Sequence, residues 1–109
     1  KALKIIQHYK MNTQCFVGRP GPSMEFYLAN GKAPSGAMAG EDAIAFNPAN
    51  VQALHVNGRW KVVDGNNWLL DFNQSEAEAR QALSYILRYG FRFMCFVGRP
   101  GPSMTYFRK

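Results

Sequence analysis

A ten-residue segment that occurs twice constrains this chain more than any other feature. Residues 15–24 read Cys-Phe-Val-Gly-Arg-Pro-Gly-Pro-Ser-Met, and residues 95–104 repeat them without a difference. The same offset of 80 residues aligns four earlier positions, Ala2, Leu3, Ile6 and Tyr9, with Ala82, Leu83, Ile86 and Tyr89. Residues 1–29 and 81–109 are therefore two copies of one unit, the first and the second copy, and residues 30–80 have no counterpart in the chain.

The two copies differ only outside this decapeptide. All ten positions match inside it, but only four of the other 19 match. Core packing tolerates exchanges of similar size, so strict identity favours either a turn with special dihedral angles or a surface that contacts a ligand. The 109 residues suit one domain, 1–109, in which the copies flank a central unit at 30–80. The alternative is an excerpt of a longer tandem array.

Hydrophobic periodicity predicts a helix in each copy. Residues 2–10 have apolar side chains at helical spacing. The second helix is predicted at 76–89, because Ser75 and Glu78 form a capping-box pattern before its apolar positions. Gly90 follows where a left-handed C-terminal cap is expected.

Each helix is followed by two predicted strands joined by Gly-Arg-Pro-Gly-Pro-Ser. Strand alternation places Cys15 and Cys95 on the apolar face of the first strand in each copy. A cysteine between larger apolar residues is most simply a small core residue. We therefore expect two buried free thiols, although a bond between them across a pseudo-twofold axis is an alternative.

The central unit predicts a long loop followed by a meander. Residues 30–50 are rich in Gly, Ala and Pro, and Glu41 and Asp42 stand there as an isolated acidic pair. Strands at 51–56 and 59–64 flank Asn57-Gly58, the strongest short hairpin signal, and a third follows at 68–72. The predicted fold class is α+β: an antiparallel sheet with two helices packed on one face, built from a pseudo-twofold duplicated αββ unit around a central β-meander.

The net charge of +6 permits several kinds of acidic partner. Nucleic acid, anionic glycans and acidic proteins all fit, but so does an ordinary solubilising surface. No long basic run is present. No apolar run approaches the roughly 20 residues that a membrane-spanning helix needs.

The two arginine loops are the first candidate binding site. Two prolines stiffen each loop, so Arg19 and Arg99 are predicted to present a guanidinium to a carboxylate, phosphate or sugar hydroxyl, with Ser23 and Ser103 beside them. The competing interpretation is that each loop is only a turn with special backbone dihedral angles. Each arginine would then stabilise the turn by hydrogen bonding to local carbonyl groups.

The turn after the central hairpin is the second candidate. Trp60 and Trp68 flank Asp64, Asn66 and Asn67. An indole face beside carboxylate and amide groups can stack a sugar ring and bond its hydroxyls, while aromatic and basic residues together also suit nucleotide bases. The competing interpretation places both tryptophans in the core.

Catalytic signals are weak. His8 and His55 are the two histidines, and neither is duplicated. No zinc spacing, nucleophile motif or phosphate-binding loop occurs, so we expect no enzyme activity, no metal and no cofactor. The sequence favours a non-catalytic binding module of a secreted or surface protein, with a glycan or a protein surface as ligand. The alternatives are a nucleic-acid-binding domain, or a protease inhibitor that presents Arg19 or Arg99.

Overall fold

The structure, a computed structural model, describes residues 2–18, 23–65, 67–99 and 103–109. In this part of the chain, two α-helices and eight β-strands follow one another. They are α1 (Ala2–Tyr9), β1 (Thr13–Val17), β2 (Met24–Leu28), β3 (Asp42–Ala45), β4 (Val51–Val56), β5 (Arg59–Asp64), β6 (Asn67–Asp71), α2 (Glu76–Tyr89), β7 (Phe93–Val97) and β8 (Met104–Arg108), with a 3₁₀ turn at Pro48–Asn50 before β4. The α+β class and the antiparallel strand pairing are confirmed.

The strands form three ladders, β1-β2, β3-β7-β8 and β4-β5-β6, where the sequence predicted one sheet. The two copied hairpins share one register: Val17 lies opposite Met24, and Val97 lies opposite Met104. Each hairpin leaves its first strand through a glycine at positive φ, +79° at Gly18 and +82° at Gly98. These left-handed residues explain why glycine occupies both positions.

Strand β3 corrects the prediction of a structureless loop over residues 30–50. Asp42–Ala45 pairs antiparallel with β7, and Ala43 lies opposite Cys95. These four residues carry little local strand signal, because three of them are exposed and two are alanine. The strand is formed by pairing with residues that lie 48 to 54 positions further along the chain.

Helix α2 has the predicted bounds and both predicted caps. The Ser75 hydroxyl accepts a hydrogen bond from the backbone N–H of Glu78 at 3.2 Å. At the other end Gly90 adopts φ +66° and donates its N–H to the carbonyl of Ile86. These contacts satisfy groups that every helix end leaves without partners.

Each helix packs against the hairpin of the other copy. One buried cluster joins α2 to the β1-β2 hairpin and the meander, and it includes Val17, Met24, Phe26, Val62, Ala82 and Ile86. The other joins α1 to the β7-β8 hairpin, and it consists of Ile5, Tyr9, Met11, Cys95, Val97, Met104 and Tyr106. Neither copy therefore contains a complete core of its own.

Candidate functional site

A cleft of about 410 Å³ lies between the end of β3 and the turn that joins β5 to β6. We call it the Trp68 cleft; its lining consists of Ile44, Ala45, Phe46, Asp64, Asn67, Trp68 and Leu69. Asp64 and Asn67 lie opposite each other in the ladder. Trp68 is 61% exposed, and the ammonium of Lys61 lies 5.3 Å from its ring centroid. An indole, a carboxylate and an amide therefore border one cleft.

Asp64 also holds one wall of this cleft. Its Oδ2 accepts the backbone N–H of Asn47 at 3.1 Å. The Asn47 side chain in turn accepts the N–H of Ala49 at 3.0 Å and caps the 3₁₀ turn. The segment after β3 is thereby tied to the end of β5, which fixes the spacing between the two sides of the cleft.

Trp60 lies away from Trp68. Neighbouring residues of a strand point to opposite faces, so Trp60 and Lys61 face opposite ways on β5. The Trp60 ring stacks on His55, with centroids 5.0 Å apart, and the guanidinium of Arg80 on α2 lies 5.6 Å from it. Of the predicted tryptophan-bearing site, the structure brings together Asp64, Asn67 and Trp68 but not Trp60. Asn66 lies outside the described residues.

Arg99 is anchored by a residue that neither sequence interpretation considered. Its Nε donates to Asp42 Oδ2 at 2.7 Å, and its Nη2 pairs with the other oxygen of the same carboxylate. Its guanidinium also lies 4.3 Å from the ring centroid of Phe96. The hydrogen bond and positive charge of Arg99 hold the pKa of the Asp42 carboxyl below its usual range. The pair ties the end of β7 to the start of β3, and 41% of each side chain stays exposed.

The two predicted serines of the loops form hydrogen bonds through their main chain. Ser23 donates its N–H to the carbonyl of Val17 at 3.0 Å, and Ser103 donates to Val97 at 2.9 Å. Ser23 is half-buried and Ser103 is exposed. Arg19 lies outside the described residues.

A second cleft, of about 340 Å³, lies beside Arg99. We call it the Arg99 cleft; it lies between α1 and the end of β7, and its charged and phenolic lining residues are Lys4, Glu41, Asp42, Arg99 and Tyr106. Its charged groups are largely paired with one another, since Arg99 bonds Asp42 and Glu41 bonds Tyr106. Few of the charged groups that line the Arg99 cleft are therefore left to contact a ligand.

Glu41 is the centre of a buried network that the sequence did not reveal. Its Oε2 accepts the hydroxyls of Tyr9 and Tyr106 at 2.7 and 2.5 Å. Its Oε1 accepts Nε and Nη2 of Arg108 at 2.9 and 2.7 Å. The side chains of Arg108 and Glu41 are only 7% and 4% exposed. In the sequence, Glu41 stood out only as one half of an acidic pair with Asp42. Its partners could not be identified there, because they lie 32 to 67 residues away in the chain.

The pKa shifts in this network indicate that Glu41 has a structural role and does not transfer protons. Burial alone would raise the pKa of Glu41, but the hydrogen bonds from Arg108, Tyr106 and Tyr9 and the charge of Arg108 lower it below its usual range. Burial and the bond to Glu41 raise the pKa of both tyrosines. At neutral pH the carboxylate is charged and both phenols are protonated, so the network is a fixed tie between α1 and β8.

Both cysteines are free, as expected. Cys95 is fully buried, and burial, followed by the charge of Glu41, raises the pKa of its thiol to about 12. Cys15 is only partly buried, and burial raises its pKa as well. The prediction of burial is thus confirmed for Cys95 and is wrong in degree for Cys15. A thiol with a raised pKa is a poor nucleophile at neutral pH.

Across the described ranges, no three His, Cys, Asp or Glu side chains form a group that could hold a metal ion. Nor does the described part of the chain contain a helix long and apolar enough to cross a membrane. Comparison of the chain with known protein families, with curated proteins and with solved structures finds no match. The function must therefore be inferred from the geometry of the two clefts.

Proposed function

We propose that this protein is a non-catalytic binding module whose ligand is a glycan held in the Trp68 cleft. The observation that carries the proposal is the exposure of Trp68. This residue is 61% exposed, and it lies beside a concave surface. An indole left this open gains little from packing in the protein itself, whereas it offers a flat apolar face with a polar edge to a ligand. The C–H bonds of a sugar ring stack on such a face.

The polar groups of the cleft suit the same ligand. Asp64 and Asn67 supply carboxylate and amide groups beside the ring, and a few placed polar groups in an apolar pocket are what give orientation and specificity. The volume of about 410 Å³ lies within the range of roughly 300–1,000 Å³ that is usual for small-ligand sites.

The arginine loops have a secondary place in this proposal. Arginine carries five N–H donors, and the Asp42 pair engages two nitrogen atoms of Arg99. The exposed remainder of Arg99 and the exposed Ser103 are available to a protein ligand or a longer glycan. Arg19 and Ser23 would offer the same contacts by sequence equivalence.

A glycan array followed by calorimetry tests the proposal. Trp68→Ala should weaken binding by about 2 kcal/mol or more, which is roughly 30-fold in Kd. Leu87→Ala is the matched control, because Leu87 is also a large apolar residue, 54% exposed, but lies on α2 away from the cleft. Equal losses in both variants, or none in Trp68→Ala, would refute the Trp68 cleft as the binding site.

The two alternatives predict different results in the same assay. A nucleic-acid-binding domain should lose affinity steeply with added salt as phosphate counterions are released, whereas a stacked neutral sugar should not. A protease inhibitor needs an arginine free to enter a specificity pocket. Arg99 gives that alternative no support, because its guanidinium is held by Asp42 and Phe96.

We also propose that the duplicated αββ units are related by a pseudo-twofold axis around the central meander, with both helices on one side of the hairpins. Two equivalent ring pairs support this: Tyr9 lies 5.9 Å from Tyr106, and Tyr89 lies 6.1 Å from Phe26. Glu25 Oε1 accepts the N–H of Thr105, its own counterpart at the offset of 80, at 3.0 Å. Superposing residues 2–18 on 82–98 in a crystal structure of the protein tests the axis, and a rotation far from 180° would refute it.

A further inference from the structure

Arg99 keeps part of its hydrogen-bonding capacity free. Asp42 bonds its Nε and Nη2, which form one edge of the planar guanidinium. Within the described part of the chain, the other edge, Nη1 with the second N–H of Nη2, bonds no residue, and 41% of the side chain is exposed. The centroid of the Phe96 ring lies 4.3 Å from Cζ of Arg99. The guanidinium is therefore held in place while it still offers a pair of N–H donors.

Lys4 is the second cation of the Arg99 cleft that is left for a ligand. It lies on α1, borders the cleft and is exposed. No ion pair engages it in the described ranges. The other charges in and beside the cleft cancel in two pairs, Arg99 with Asp42 and Arg108 with Glu41. The cleft therefore keeps the single positive charge of Lys4, which suits a ligand with one negative charge.

The uncharged lining of the cleft is mostly apolar. Ile5 and Val97 are buried there, and Met38 is half-buried. Met38 packs against the core cluster of α1 and the β7-β8 hairpin, and its carbonyl accepts the N–H of Glu41 at 3.2 Å. The volume of about 340 Å³ is near the lower end of the range of roughly 300–1,000 Å³ that is usual for small-ligand sites. The lining therefore suits a ligand with a short apolar body.

We propose that the Arg99 cleft is a second binding site, separate from the Trp68 cleft, for a small organic monocarboxylate with a short apolar body. The ligand carboxylate accepts two N–H groups from the free edge of Arg99, in the bidentate geometry that guanidinium and carboxylate groups share. The ammonium of Lys4 adds a charge attraction, and the body of the ligand lies against the apolar lining.

An NMR titration of the full, isotope-labelled chain with hexanoate tests the proposal. A ligand this small should bind with a Kd of about 1 mM, and the backbone amide signals of residues 38–42 and 96–99 should shift most. Hexanamide, the uncharged match, should bind about tenfold more weakly or less tightly still, because its hydrogen bonds lack the charge. Butanoate should also bind more weakly than hexanoate, by up to about fourfold for each CH₂ removed.

A carboxylate of this kind can come from a free acid or from the last residue of a peptide. N-acetylglycyl-leucine and its C-terminal amide form the second pair of probes. A carboxylate that binds more tightly than its amide in either pair supports the site, and the tighter of the two carboxylates identifies the source.

Two variants at one ion pair should change hexanoate binding in opposite directions. Arg99→Ala removes the bidentate donor and should weaken binding about tenfold or more. Asp42→Asn removes a neighbouring negative charge and frees the second edge of Arg99, so it should tighten binding about threefold. Damage to the fold would weaken binding in both variants, which makes the gain in Asp42→Asn the decisive result.

Lys4 has a matched control on the same helix end. Lys4→Gln should weaken hexanoate binding about threefold, and Lys4→Arg should restore it. Lys10→Gln changes the net charge of the protein equally, but Lys10 does not line the cleft, so the Kd should stay the same. Equal losses in Lys4→Gln and Lys10→Gln would assign the attraction to net charge and not to the cleft.

Three further outcomes would overturn the proposal. Equal affinity for hexanoate and hexanamide would exclude recognition of a carboxylate. Weaker binding in both Asp42→Asn and Arg99→Ala would exclude Arg99 as the anchor. No saturable shift at the Arg99 cleft, or the largest shifts elsewhere, would exclude the site itself. Because no residue of the Trp68 cleft takes part, each result stands whether or not that cleft binds a glycan.

Discussion

Arg108 and Glu41 form an ion pair that is almost wholly withdrawn from water, with side chains 7% and 4% exposed. Both oxygens of the carboxylate are used, and the helix of the first copy joins the pair through the hydroxyl of Tyr9. The pair is therefore the point at which α1, the segment before β3 and β8 are fastened together.

Replacing Glu41 with Gln should destabilise the protein strongly. The guanidinium of Arg108 would stay buried without its counter-charge, and breaking one partner of a buried pair costs about 3–5 kcal/mol. Urea unfolding measures the change. Glu76→Gln is the control, because its pair with Arg80 is half-exposed and should contribute at most about 1 kcal/mol. Similar losses in the two variants would contradict the structural role of Glu41.

The stability of the protein should fall on acidification, in part through Glu41. Its pKa is lower in the folded protein than in the unfolded chain, so the unfolded chain takes up the proton first. The contribution is complete above the unfolded value of about 4.3 and is lost as the pH falls through the lower folded value. Asp42 and Asp71 also have lowered pKa values and act with the same sign. An NMR titration of the Glu41 carboxyl isolates its part, and a folded pKa above the unfolded one would contradict the prediction.

The two repeated glycines allow an internal comparison. Gly98→Ala should lower the free energy of unfolding by about 1–2 kcal/mol, because alanine is disfavoured in a left-handed backbone conformation. Gly18→Ala should cost more, because a Cβ there would lie 2.6 Å from Glu78 Oε1, whereas at Gly98 it meets no described atom within 4 Å. Adding Glu78→Ala should remove the excess, as a double-mutant cycle of unfolding free energies would show. Equal costs for the two single variants would mean that Glu78 moves aside freely.

Arg99 should hold β3 to the second hairpin. Arg99→Ala should speed amide hydrogen exchange over Asp42–Ala45, because the ion pair at the first residue of the strand is lost. Arg99→Lys should restore only part of the protection, since an ammonium cannot reproduce the two-nitrogen contact. Arg19→Ala is the matched control, and exchange in β3 that responds to it equally would contradict the assignment.

Local patterns predicted α2, its caps and the central hairpin, because these features depend on neighbouring residues. Asn57 and Gly58 adopt the positive φ values that their turn type requires. Strand β3 and the Glu41 network were not predictable, because both are made by pairing with residues far along the chain. Asp64, Asn67 and Trp68 of the predicted tryptophan site do border one cleft, whereas strand alternation turns Trp60 away. That this cleft binds a ligand stays a prediction.

The packing of each helix against the hairpin of the other copy also affects how the chain folds. Tyr9 packs on Tyr106, 97 residues further along the chain, so α1 is not fully covered until β8 has been made. Contacts of such long range slow folding, because a large loop must close before they form. During synthesis the first helix and its hairpin would leave the ribosome with their apolar faces uncovered. A nascent chain should therefore depend on chaperones until β8 has been made.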